Sequence, residues 1–147
     1  KGGPDVVLID GDVIQPLSLD RIAIRQLPDE FHVEDVGAFL PGMTARAVKV
    51  RGLLEIPAIR LGADHVTFHS HDGAYAATLT LEQARDFGLL LYEVEGGPVP
   101  LERGGPFRLI TPGLDDLCAH VKGVGRIEIR SGSGKDSRPS EMERRKC

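Results

Sequence analysis

At 147 residues, 41% hydrophobic and 27% charged, the chain has the size of one domain and the apolar content for a core of its own; such a chain buries about 68–70% of the surface it exposes when unfolded. A formal net charge of −4 excludes a general attraction to nucleic acid or anionic lipid, and no apolar run approaches the roughly 20 residues of a membrane-spanning helix. With only Cys118 and Cys147, a disulfide framework is excluded too, so a soluble chain is expected, the cytoplasm favoured; the start at Lys1 without an initiator methionine leaves a removed leader open.

Eighteen glycines and ten prolines point to many turns between short strands. Alternating hydrophobicity predicts a first strand over 6–14, followed by a helical turn over 17–26. Strands are expected next at 31–36 and 47–50, with a helical turn at 50–54, and then at 66–70 and 75–79. The helix predicted over 81–87 has the clearest start, with Thr80 as cap and Glu82 and Gln83 in the first turn, where they meet unpaired backbone N–H groups. Strands over 89–94, 107–111 and 121–129 complete the set. No internal repeat is present. After Arg130 the sequence SGSGKDSRPSEMERRKC lacks apolar anchors, so a folded domain over 1–130 and a flexible polar tail over 131–147 are expected. The tail's Lys135, Arg138, Arg144, Arg145 and Lys146 suit a solvated extension, with an acidic partner as the alternative.

Three strings in order carry more specific information: DGAYAATL from Asp72, LLLYEVEGGPVPLERGGPFRLITPG from Leu89, and HVKGVGRIEI from His120. Together they resemble the sulfite-oxidase-type molybdopterin-binding domain family. The DVVLIDGDVIQPLSLDRIAIRQLP segment near the start fits that family's opening more loosely. The resemblance implies an α+β fold, mostly β, with mixed sheets and short helices around a pterin-sized cleft. It also implies an oxidoreductase with a molybdenum–molybdopterin cofactor, whose metal is held by two pterin sulfurs and one protein cysteine thiolate, a soft ligand. Aligning FHVEDVGAFLPGM on Pro41-Gly42 puts Glu34 or Asp35 where that cysteine stands. Neither supplies a thiolate, so ordinary oxotransfer is put in doubt, and an oxygen ligand or no protein ligand would take its place. Cys118 has no counterpart in the pattern and reads first as a small buried apolar residue.

By the same resemblance, Tyr75 matches a tyrosine that faces the metal's oxygen ligands, where a phenol donates to a bound oxyanion. Its plain reading is a core or cross-strand aromatic. His120 and Lys122 match residues that hold the pterin and its phosphate, although the aromatic that usually follows the lysine is Gly123. Arg108 matches the arginine of the Gly-x-Pro-x-Arg strand and equally suits a structural role, its five donors satisfying loop carbonyls. The expected partners are a small-molecule cofactor or an oxyanion, with an unidentified redox partner, no nucleic acid and no membrane span.

Two further constellations have other readings. In a regular strand from Val66 to His71, the side chains of His65, Thr67, His69 and His71 face one way and Val66 and Phe68 the other. Histidines two apart lie ~7 Å from each other, so His69 and His71 with Asp72, Glu34 or His32 would make a divalent-metal site; His65, ~13 Å from His69, would join only through a bulge. A half-solvated polar strand face is the plain alternative. The pairs Glu34/Asp35 and Asp115/Asp116 suit turns and caps better than acid–base catalysis. Beside a cofactor-binding domain, the sequence therefore leaves two alternatives: a non-catalytic binding domain that keeps the fold, or a histidine-ligated metal protein.

Overall fold

The computed structural model describes residues 5–114, 119–132 and 134. Cys118, Cys147, the Asp115/Asp116 pair and the basic residues of the tail lie outside them.

The described chain forms two sheets with short helices at their margins, an α+β arrangement dominated by strands. The first sheet contains β1 (Val6–Gly11), β2 (Leu17–Asp20), β5 (His65–Ser70), β6 (Ala76–Thr80) and β9 (Val124–Arg130), in the order β2-β1-β9-β5-β6. It is mixed: β1 and β9 run parallel, while the other pairings are antiparallel. The second sheet is antiparallel, in the order β3-β4-β7-β8, from β3 (His32–Val33), β4 (Arg46–Lys49), β7 (Leu89–Glu93) and β8 (Arg108–Ile110). Apolar residues from both sheets, among them Ile9, Phe68, Ile127, Leu90 and Leu109, share one core, and a smaller cluster around Val36, Leu91 and Ile110 lies beside it.

Three helices, α1 (Arg21–Arg25), α2 (Val50–Leu53) and α3 (Leu81–Phe87), fill the margins. At α3 the Thr80 Oγ1 accepts from Gln83 N at 3.0 Å while the Gln83 side chain accepts from Thr80 N at 3.1 Å. This reciprocal capping box satisfies two N–H groups that a helix start leaves unpaired. Helix α1 is tied to β7 by Arg21 and Arg25, both donating to Oε1 of Glu93, at 3.1 Å and 2.6 Å.

Several predicted boundaries shift for identifiable reasons. Residues 17–20 of the predicted helical turn are strand β2: Leu17 and Leu19 pack on the core while Ser18 and Asp20 are exposed, a period of two. Asp20 then caps α1, its carboxylate accepting from Ala23 N at 2.8 Å. The first strand stops at Gly11, whose φ of +88° turns the chain where a Cβ would sit 2.1 Å from the Ile129 carbonyl oxygen. Of the strand predicted over 31–36 only His32 and Val33 pair as a strand, because 3-10 turns occupy Asp29–Phe31 and Val36–Ala38. The last strand begins at Val124, not 121, and Val121 pairs with Leu109 instead. Strand β5 is buried in its middle on both faces, so Thr67 is not on a wet polar face; its hydroxyl shares a 2.7 Å hydrogen bond with that of Thr78.

Candidate functional site

The segments on either side of the undescribed stretch run back along each other. Leu109 and Val121 exchange backbone bonds of 2.8 and 3.1 Å, Val124 N donates to Phe107 O at 2.8 Å, and Gly123 N donates to Gly104 O at 2.8 Å. Leu109 and Val121 are both fully buried, so their neighbours in the chain point to the opposite side. The antiparallel bridge therefore brings Arg108 and Lys122 face to face, with His120 one step along. Gly104 fits beneath this pair: at φ +90°, a Cβ there would lie 2.8 Å from Arg108 Cδ and 2.9 Å from Lys122 Cγ.

Tyr75 reaches the same place from the other sheet. The turn between β5 and β6 is held by Asp72, whose Oδ1 accepts from Ser70 Oγ at 2.7 Å and from Ala74 N at 2.9 Å, while Tyr75 N donates to Ser70 Oγ at 3.0 Å. The Ala74 N–H and then the Ser70 hydroxyl hold the Asp72 carboxyl below its ordinary pKa. Tyr75, Arg108, His120 and Lys122 line one cleft of about 570 Å³, together with Leu40, Ser70 and Asp72. Asp72 entered the sequence reading only as a third ligand for a histidine-bound metal. The turn spacing of Ser70, Asp72 and Ala74 was the signal that could have placed it at this wall.

The electrostatics of the cleft favour an anion. Like charges facing each other across a strand pair repel, and among the described residues no carboxylate hydrogen-bonds Arg108 or Lys122. Arg108 donates from Nη1 to the Arg103 carbonyl at 3.3 Å, but its Nε is buried with no partner. Burial lowers the Arg108 pKa, so the charged guanidinium is held at a cost that a bound anion would relieve. Asp72, the acid at the wall, is already engaged by its own turn.

The metal side of the inferred cofactor is less well provided for. Glu34 pairs with Arg46 at 2.8 Å, and Asp35 accepts from Gly37 N at 2.8 Å to start a 3-10 turn. Neither lines the cleft, which corrects the expectation that one of them stands in for the cysteine. No thiolate lines it among the described residues. The cations of this wall thus fit the phosphate-bearing organic part of a pterin cofactor, and among the described residues no thiolate stands ready for its metal.

The histidine constellation dissolves for similar reasons. His69 Nε2 lies 2.9 Å from Oε1 of Glu128, and His65 Nδ1 lies 2.8 Å from Asp64. His32 lies between the Leu27 carbonyl and the Tyr92 hydroxyl, at 3.0 and 2.9 Å. The register of β5 against β9 slips between His69 and Ser70, which takes His71 off the regular alternation. Among the described residues no group of three His, Cys, Asp or Glu side chains is placed to hold a metal ion. Burial pushes the Glu128 pKa up, but His69 and the charges of Arg126 and Arg130 outweigh it, and the carboxyl sits below its ordinary value.

The family model for the oxidoreductase molybdopterin binding domain matches residues 43–137, well over half of the chain. The chain belongs to that family. Mitochondrial sulfite oxidase of Rattus norvegicus is 37% identical over 75 residues, covering 46% of this chain and 14% of that protein. The human enzyme is 36% identical over 74 residues, covering 45% of this chain. The match thus spans about one seventh of those relatives' length. Among solved structures, the sulfane dehydrogenase SoxCD from Paracoccus pantotrophus superimposes with a TM-score of 0.69 over 90% of this chain and 40% of that one, at 18% identity. At that identity the likeness establishes the molybdopterin-binding fold alone. Among the described residues no helix is long and apolar enough to cross a membrane.

Proposed function

We propose that this molybdopterin-binding domain holds the anionic end of a molybdenum–pterin cofactor on Arg108 and Lys122, with His120 beside them and Tyr75 on the facing wall. The observation that carries this reading is the pairing of two cations across one bridge, with no carboxylate on either among the described residues and a buried Arg108 Nε that no described residue satisfies. A phosphate accepts from both side chains and removes their repulsion. Tyr75 lines the same cleft, and a phenol can donate to an oxyanion.

Such a cofactor supplies two-electron oxygen-atom transfer at its metal when bound. The chain's own part is to bind and orient it. With Glu34 or Asp35 where the family pattern has its cysteine, oxotransfer of the ordinary kind is weakened in this reading. The second reading, a domain that keeps the fold without the cofactor, draws on that same missing ligand.

Metal and pterin analysis of protein from cells with an active pterin pathway tests this. Near-equimolar molybdenum and pterin are expected, and neither under the second reading. Lys122→Ala should lower cofactor retention while leaving the thermal transition of the cofactor-free protein nearly unchanged, since Lys122 is exposed. Full retention in that variant overturns the phosphate assignment.

A further inference from the structure

A second, separate cleft of about 270 Å³ opens between the end of α3 and the segment around β3. It is lined by the apolar side chains of Val33, Leu89 and Pro112 and by Phe39 and Phe87, together with charged residues. Phe39 is 51% exposed, a large ring left in water.

Around this apolar slot stand Lys49, Arg51 and Arg85, against the single acid Asp86. Five other arginines, at 21, 25, 46, 126 and 130, have carboxylate partners. Among the described residues none of the three cations at this rim does. Arg51 is instead steadied by the Phe31 ring, its guanidinium 5.0 Å from the ring centre. Solvated surface cations alone would mean little. Here they line one cleft together with two aromatic side chains, and apolar surface beside a few charges is what a small-ligand site provides.

We propose that this cleft binds a small planar organic anion, an aromatic carboxylate or sulfonate, with its ring against Phe39 and Phe87 and its charge on Lys49 and Arg85. The volume of about 270 Å³ falls just below the roughly 300–1,000 Å³ typical of ligand pockets, which suits one or two rings and excludes a folded peptide. The proposal is independent of the first cleft.

Fluorescence titration with naphthalene-2-sulfonate, a planar two-ring anion, tests it on the whole chain. Saturable binding of one molecule per chain is expected, weakened at least tenfold in a Lys49→Gln/Arg85→Gln double variant and at least tenfold in Phe39→Ala. The uncharged naphthalene should bind at least tenfold more weakly than the sulfonate. Lys122→Gln should leave the sulfonate's affinity unchanged, which separates this cleft from the first. The proposal is overturned by unsaturable binding, by equal affinity for the neutral analogue, by indifference to the double variant, or by loss of binding in Lys122→Gln alone. None of these outcomes bears on molybdenum and pterin content, the readout for the first cleft.

Discussion

Gly104 is the residue on which the first cleft's shape turns. Its left-handed backbone costs a side-chain-bearing residue about 1–2 kcal/mol, and the stems of Arg108 and Lys122 fill the space a Cβ would need. Gly104→Ala should therefore lower stability by at least that amount and spread the two cations apart. Urea unfolding measures the first effect; an unchanged midpoint would mean the turn does not need this conformation. In the sequence Gly104 is one of eighteen glycines that point to turns, because φ preference is a local property. The two stems above it come from strands fourteen residues apart in the chain, and no local rule brings them together.

At the scale of elements, the buried pairings of the second sheet carry the site. Leu90 and Ile110 are 0% and 1% exposed, on adjacent strands β7 and β8. Replacing either with Ala should cost roughly 2–5 kcal/mol through lost packing and the cavity left behind. A thermal transition unmoved by both changes would place these strands differently. Helix α3 was the most legible element: a capping residue, an amide three positions on and an apolar stripe act within seven residues, and predicted and observed bounds coincide. Strand β2 was the least legible. Leu17, Leu19 and Ile24 suit a helical or an alternating pattern equally over so short a span, and pairing with β1 decides between them.

For the whole molecule, burial of Tyr92 and Glu93 links the sheets' stability to pH. Desolvation pushes the Tyr92 hydroxyl up to about 12, outweighing the nearby Arg46 charge. A folded pKa raised above the unfolded one stabilises fully below about pH 10, and that contribution is lost as pH rises towards 12. Glu93 has the opposite sign. Burial raises its pKa, but hydrogen bonds from Arg25 and Arg21 more than offset this, so the folded carboxyl lies below its ordinary value. Its contribution is present above the ordinary glutamate pKa and lost as pH falls through the lowered one. Thermal melts against pH should decline at both ends, with Tyr92→Phe flattening the alkaline limb and Arg25→Gln the acid one. If neither variant changes its limb, the coupling assigned to that group is wrong.

The sequence by itself determined the family, the strand-rich α+β class and the identity of the residues that meet at the cleft, because these rest on ordered strings of residue types and on local periodicity. It also registered the absence of a cysteine near Pro41-Gly42, which is a fact of composition. Only the tertiary structure decided that Glu34 and Asp35 turn to Arg46 and Gly37, that His69 is taken by Glu128, and that Arg108 faces Lys122. Each of these depends on which side chains compete for one partner across strands distant in the chain, and that competition exists only once the two sheets have packed.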